Sequence, residues 1–236
     1  MDTSLAEIRE KKLGHLRIGI HSARARAFLP EAVRTFSKVY PNVKLTLYHS
    51  DTDRFEEMLL AGDIDLFFGV NVSQRSEFSV FPLAEEGAWM VASDEFIRTW
   101  FHSEPSALNS IPLEMFSKIP VIVSPSVSNF QKSIDRYFEK HDVLLNRYIE
   151  VSDFNLQLRL AQQSTGVCFC PQQFLRSAVE LNSESDRPRV CYYPIPDMPT
   201  VNSLALVVHR NAYRSQYLKD FIHVTQEAFR AYYLNS

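Results

Sequence analysis

An α/β fold in two lobes, with a cleft between them and two crossover connectors, is the architecture this sequence predicts. Three observations carry it. From Leu16 to Val70 the chain alternates strand and helix patterns with short joins, which implies parallel strands and right-handed crossovers. A second alternation of the same kind begins at Pro120 and runs to Cys170. Two stretches, near Glu86 and near Pro199, break the alternation and read as connectors.

The elements follow from local pattern. Leu16–Ile20 and Val43–Tyr48 alternate as half-buried strands do, and Ile64–Val70 is a nearly continuous apolar run, as in a strand covered on both faces. Between them, Leu29, Ala32, Val33, Phe36, Val39 and Tyr40 keep one face of a helical period. Pro30 suits a position near that helix's start, and Pro41 ends it. A second helix has Asp51, Thr52 and Asp53 as cap candidates, Phe55, Met58 and Leu59 as its buried face, and Gly62 past its end. Phe78–Glu85 and Ala88–Ser93 read as strands, and Asp94–Phe101 as a helix capped by Ser93 or Asp94. Leu113–Phe116 is one helical turn.

The second alternation opens on the strand Pro120–Val123. Ser128 and Gln131, three apart, form a capping box for a helix faced by Phe130, Ile134, Tyr137, Phe138 and His141. Arg147–Val151 is a strand, and Ser152 or Asp153 caps the helix Phe154–Ser164. Val167–Cys170 is a strand, Gln172–Val179 a short helix, and Val190–Pro194 another strand. The strand Leu204–His209 and the helix carrying Leu218, Phe221, Ile222, Thr225, Phe229 and Tyr232 most simply return to the first lobe. Lobe one is therefore 14–86 with 200–236, and lobe two is 87–199, each a small parallel layer. Ahead of them Thr3–Lys12 reads as a short helix.

Composition narrows the function. A net charge of −3 supplies no basic footprint, which makes this chain a poor candidate for binding DNA by itself. No apolar run reaches the roughly 18 residues of a membrane span, and the N-terminus lacks the apolar core of a secretory signal. Three cysteines, an odd and low count, point to a reducing compartment and hence the cytoplasm. Cys168, Cys170 and Cys191 read as buried free thiols, and no ligand set for a metal or motif for a cofactor is present. Dinucleotide, Walker, nucleophile-elbow and zinc-protease motifs are all missing, which lowers the enzyme reading.

The polar loops at strand ends carry the remaining chemistry. HSARARAF follows Ile20, SPSVSN follows Val123 and SDFN follows Val151, and each leads into a helix. Helix N-termini gathered at one sheet edge favour a carboxylate or other small anion. Ser22, Ser126, Ser128, Ser152 and Asn155 add hydrogen bonds, and Arg24 or Arg26 a bidentate partner. Each serine alone is more often just a cap, and each loop arginine more often solvated. Asp153 opposes an anion unless it caps its own helix.

These residues also resemble a family. GHLRIGI, a Leu-Pro some ten residues on, FSKVYPNVKLTL and LLAGDIDLFFG, in that order, resemble the effector-binding domain of LysR-type transcriptional regulators. FPLAEEGAWMVAS, EVSDFNLQLRLAQQSTGVCFCPQ and SLALVVHRNAYRSQYLKDFIHVTQEAF continue the likeness to about Phe229, with Thr165 standing in place of the first glycine of the family's G-x-G-x-x-x-x-P segment. The resemblance implies a type 2 periplasmic-binding-protein-like fold and a small-molecule effector in the cleft. It implies that residues 1–13 end a linker helix, and that DNA is bound through an N-terminal winged helix-turn-helix absent from this chain. It maps the effector site to His21, Ser22, Arg24, Ser126, Ser128, Asn129, Asp153, Phe154 and Asn155, with Val70 and Asn71 as a further wall; Arg26 stays a candidate beside Arg24. A homodimer or tetramer is implied, through the helices Leu29–Tyr40 and Phe130–Lys140. The family's redox cysteine pair is not matched. A stand-alone solute-binding protein is the alternative, and an enzyme using Asp153 with His21 the third reading.

Overall fold

The computed structural model describes residues 13–234, so the helix expected at Thr3–Lys12 lies outside the described residues. In chain order the elements begin β1 (Gly14–Gly19), α1 (Ser22–Val39), β2 (Val43–Tyr48), α2 (Thr52–Ala61), β3 (Leu66–Val70) and β4 (Phe78–Glu86). They continue with β5 (Ala88–Ser93), α3 (Asp94–Phe101), β6 (Val121–Val123), α4 (Asn129–Lys140), β7 (Arg147–Glu150) and α5 (Phe154–Gln162). Next come β8 (Val167–Pro171), α6 (Leu175–Leu181), β9 (Val190–Pro194), β10 (Asn202–His209) and α7 (Gln216–Leu234). Pro105–Ala107, Leu113–Ser117 and Gln172–Phe174 are single 3₁₀ turns. The chain forms two compact units. The first holds the chain up to Ala84 and from Ser203 onward; the second is Glu85–Asn202.

The first unit is a five-stranded sheet in the order β2-β1-β3-β10-β4. Strand alternation sends Leu66 and Phe68 of β3, and Leu204, Leu206 and Val208 of β10, to one face, where Phe28, Leu29 and Phe36 of α1 and Phe221 and Phe229 of α7 cover them. Phe67, Ala205 and Val207 point the other way, onto Phe55 and Leu59 of α2. Phe28 meets Phe229 at a ring-centroid distance of 4.9 Å, and Phe36 meets Phe221 at 5.2 Å, both edge to face.

The second unit repeats this plan in the order β7-β6-β8-β5-β9. Met90, Val121, Val123, Val167 and Phe169 pack under Phe130, Ile134 and Phe138 of α4. The opposite face of its central strands, with Cys168 and Ile122 fully buried, is met by α5. β8 approaches β6 closely at Gly166, where a Cβ would lie 2.6 Å from the Pro120 carbonyl oxygen.

Several expectations are corrected. Neither sheet is wholly parallel. β1–β3 and β6–β8 are parallel, but β10 runs antiparallel to β3, and β5 antiparallel to β8 and β9. β10 and β5 are each reached directly from a strand of the other sheet, with no crossover helix to impose a parallel direction. The stretch HSARARAF is not a loop: α1 begins at Ser22, and Pro30 lies inside it. Ala25 and Phe28, both buried, carry the apolar stripe of Leu29, Ala32 and Phe36 upstream, and alanine and arginine are strong helix formers. Pro30 is exposed, and its missing N–H leaves the Arg26 carbonyl without an intrahelical donor.

In the segment before β8 the left-handed residue is Ser164 (φ 59°), so Ser164, not Thr165, holds the position a glycine would favour. Its hydroxyl lies 2.8 Å from Ser93 Oγ and donates to Glu95 Oε2 at 3.1 Å. Gln172–Val179 splits into a 3₁₀ turn and α6, and His141 leaves the α4 face for the surface.

Candidate functional site

In each unit neighbouring parallel strands run toward the same sheet edge, and the segments that follow them hold the expected site residues. In the first unit these are β1 and β3, in register at Ile18 with Leu66 and Gly19 with Phe67. His21 caps α1, its Nδ1 accepting from the Ala23 N–H at a long 3.4 Å, and its carbonyl accepting from the Ala25 N–H at 2.9 Å. Ser22 is half-buried at the first helical position. Two positions along a helix are about 200° apart, and this separates the two arginines: Arg24 is buried at 6% exposure, while Arg26 is exposed.

At the end of β3, the Val70 N–H donates to Thr52 Oγ1 at 3.0 Å. Asn71 follows with φ 51°. Its N–H donates to the Ser203 carbonyl and its Oδ1 accepts from the Ser203 N–H, both at 2.8 Å. Asn71 thus clasps β10, and an asparagine tolerates the left-handed backbone this needs. The segment beyond is held by Glu56, 4% exposed, whose carboxylate accepts from the Ser73 N–H at 2.8 Å and faces Arg75 Nε at 3.3 Å.

In the second unit the ends are β6 and β7, in register at Val123 with Glu150. Ser126 and Asn129 are exposed and Ser128 is half-buried. The expected capping box is absent: Ser128 makes no side-chain cap bond, and Gln131 Oε1 instead accepts from the Ser124 N–H at 2.9 Å. Gln131 Nε2 donates to Asp135 Oδ1 at 2.8 Å, and Arg147 pairs with the same carboxylate at 2.7 Å. From the other side Gln157 Nε2 donates to Ser124 Oγ at 3.0 Å and to the Val151 carbonyl at 2.5 Å. Ser124, Gln131 and Gln157 are 3%, 1% and 1% exposed, so these bonds act in a low-dielectric interior and fix both loops. Sequence reasoning missed this network. Its one signal was glutamine on the buried face of two helices.

Asp153 caps α5: its Oδ1 accepts from the Asn155 N–H at 2.7 Å and the Leu156 N–H at 3.1 Å. Phe154 packs on Phe130 (5.3 Å) and Phe174 (4.7 Å), bridging the first turn of α4 to the first turn of α5 and to the chain beyond β8. Asn155 lines a cavity of about 260 Å³ with Arg159, Ser177 and Glu184, between α5 and α6.

The helix starts differ in charge. α2 and α3 carry Asp53, and Asp94 with Glu95, in their first turns; α1, α4 and α5 carry no acid there. Of the three, α5 is closed by Asp153 and α1 weakly by His21, while α4 has no side-chain cap. At the start of α4 orphan N–H groups and the helix dipole therefore act together, with no acid or side-chain cap to offset them.

Nucleophilic or redox chemistry has no support in the thiols. Burial pushes Cys168 and Cys170 well above the usual thiol range, and no disulfide joins them. Among the described residues no group of histidine, cysteine, aspartate or glutamate is placed to hold a metal ion. No helix among them is long and apolar enough to cross a membrane.

Residues 9–230 match the family model of the LysR substrate binding domain. A curated relative, the HTH-type transcriptional regulator CzcR of Bacillus subtilis, is 20% identical over 210 residues, which are 89% of this chain and 65% of the relative. The chain thus spans about two thirds of that relative's length. The fold is similar to the effector binding domain of QuiR in complex with shikimate: TM-score 0.68, 17% identity, 93% of this chain and 98% of that one. It is also similar to the BenM effector binding domain with its effector benzoate: TM-score 0.66, 20% identity, 92% of this chain and 93% of that one.

Proposed function

We propose that this chain, which belongs to the LysR substrate-binding domain family, is the sensing part of a cytoplasmic transcription regulator. It takes a small carboxylate or related anion at the carboxyl ends of its parallel strands. The observation that carries this is the start of α4, uncapped by any side chain, free of acidic residues and flanked by Ser126, Ser128 and Asn129. In the first unit His21, Ser22 and Arg24 at the start of α1, with Val70 and Asn71 after β3, are assigned to effector binding, and in the second Phe154 and Asn155 at the start of α5. Arg26, exposed on the opposite side of α1, ranks below Arg24. Asp153 belongs to the site as the cap that orients α5.

Promoter binding is assigned to a winged helix-turn-helix outside these 236 residues, a reading supported by the likeness to CzcR, an HTH-type transcriptional regulator. No catalysis is part of this reading, which rests on the family match and on the likeness to a transcriptional regulator. Self-association is assigned to the helices α1 and α4, as the resemblance implies, and to the exposed apolar residues of the outer strands, Leu47 and Tyr48 of β2 and Tyr148 of β7 with Leu144 before it. Sedimentation of the purified chain tests it; a monomer at all concentrations would remove the dimer.

The effector test is a thermal-shift titration with benzoate, shikimate and a panel of aliphatic carboxylates. A ligand at about 100 times its Kd adds roughly 2.7 kcal/mol, or about 5–10 °C in Tm for a chain of this length. Ser128→Ala and Arg24→Ala are expected to weaken the same hit severalfold. Uncharged analogues matching their acids throughout the panel would sink the anion reading.

A further inference from the structure

The first unit carries a second feature, along the edge strand β4 and the segments that precede it and follow β10. β4 is an edge strand of its sheet, and beside its first half runs an open groove of about 870 Å³. Three arginines line it: Arg75 ahead of β4, and Arg210 and Arg214 after β10. Arg75 is matched by the buried Glu56. The other two are not matched by an acid. Arg210 Nη2 donates to the Phe78 carbonyl at 3.1 Å, and Arg214 Nη2 to Ser79 Oγ at 2.6 Å; neither pairs with a carboxylate among the described residues. Elsewhere Arg17, Arg34, Arg54, Arg98, Arg147 and Arg159 each face one. Glu77, whose backbone carbonyl accepts from the Arg210 N–H at 2.6 Å, has its carboxylate on the Ser76 hydroxyl at 3.0 Å.

The arginines are also kept in place. Arg214 lies over the Phe81 ring at 5.6 Å and Arg75 over Phe78 at 5.9 Å. A guanidinium stacked on a ring keeps its in-plane donors available, and a planar fork suits a carboxylate. Between the cations β4 exposes Val80 at 47%, an apolar contact on an open strand edge. The row therefore combines two guanidinium groups that face no carboxylate with an apolar side chain on an edge strand.

We propose that this groove docks an extended acidic segment of a protein partner, its carboxylates on Arg210 and Arg214 and an apolar side chain on Val80. Nucleic acid is the poorer fit. It requires a broad basic field, and the chain carries a net charge of −3, while the aromatic faces that would stack bases lie under arginine.

The test is fluorescence anisotropy on the purified chain with a labelled peptide alternating glutamate and leucine. Its lysine counterpart, single-stranded oligothymidine and citrate serve as comparison probes. The acidic peptide is expected to bind, with strong dependence on salt. The Arg210→Glu, Arg214→Glu double variant is expected to lose about tenfold or more in affinity for it and to gain the lysine peptide. That gain answers the case of a variant that simply misfolds. Val80→Asp is expected to weaken the acidic peptide alone. Equal binding to the parent chain and the double variant would overturn the proposal. So would oligothymidine binding more tightly than the peptide, or citrate binding as tightly, which would leave a nucleic-acid or a small-anion site.

Discussion

In the first unit the interior is carried by aromatic rings: Phe28, Phe36, Phe68, Phe221 and Phe229 on one face of the sheet and Phe55, Phe67 and Phe78 on the other. In the second unit phenylalanine shares the interior with Ser124, Gln131, Gln157, Gln162, Cys168 and Cys170, all buried. Both units are five-stranded with helices on their faces. The difference lies in what holds the strand ends. The β1 and β3 ends rely on a weak imidazole cap, an Asn71 clasp and the Glu56 carboxylate. The β6 and β7 ends are tied by amide side chains that leave Gln157 Oε1 buried without a partner. Buried amides make a loop's geometry specific only when they are satisfied, so the second unit depends more on individual hydrogen bonds.

The largest effects come from the rings. Phe36→Ala and Phe138→Ala are each expected to cost about 3–5 kcal/mol, measured by denaturant unfolding. Phe36 is packed on Tyr40 and Phe221, and Phe138 on Phe116 and Phe169. Losses under about 1 kcal/mol would mean that these rings do not sit in closed cores. Next is Gln131→Leu, expected to cost about 1–3 kcal/mol because it strands the Ser124 N–H and the Asp135 contact. Gln162→Leu gives up a single bond to the Leu181 carbonyl and removes an unpartnered Oε1, so its cost is expected to be about 1 kcal/mol or less. Equal losses from the two would break the claim that the network, rather than burial of amides as such, stabilises the second unit.

The caps give a smaller contrast. Asp153→Ala is expected to cost about 1 kcal/mol. His21→Ala should cost a few tenths, because its contact to the Ala23 N–H is long at 3.4 Å. Reversal of that order in chemical denaturation would mean the imidazole has a partner of greater weight.

Alkaline titration gives the smallest effect near neutrality and the clearest separation of the units. All three cysteines lie in the second unit, and burial raises each of them. A thiol raised in the folded state contributes stability that is complete below the ordinary value near 8.5 and is lost as pH climbs toward the folded value. In the first unit the comparable group is Tyr40, pushed up to about 12, mainly because it donates to the Asp220 carboxylate. Its contribution begins to fall only above about pH 10. Between about pH 8.5 and 10 the second unit alone is expected to soften, read as faster amide exchange in β8 and α5 than in β1 and α1. Cys168→Ala with Cys170→Ala should flatten that slope; an unchanged slope would place its origin elsewhere.

Much of the fold was legible because its causes are local. Asp51, Ser93 and Asp153 accept from N–H groups of their own first turns, three residues on or fewer, and capping statistics anticipate such contacts. The stripes Leu29–Phe36 and Phe130–Phe138 repeat a period that any helix must show. Ser128 misled because the same local rule applied, yet Gln131 found the Ser124 N–H seven residues back. HSARARAF misled because its polar arginines obscured a stripe that only Ala25 and Phe28 extend.

By itself the sequence determined the elements, the two-unit plan, the family likeness and the strand ends worth inspecting, since periodicity, caps and motif order are written in neighbouring residues. Only the tertiary structure decided that β10 and β5 run antiparallel, that Arg24 is buried while Arg26 is not, and that three amide and hydroxyl side chains lock β6 to β7. It also decided that Arg210 and Arg214 lie beside β4. Each of these depends on contacts between residues far apart in the chain, and burial, which sets the energy of a polar contact, exists only once those distant segments have come together.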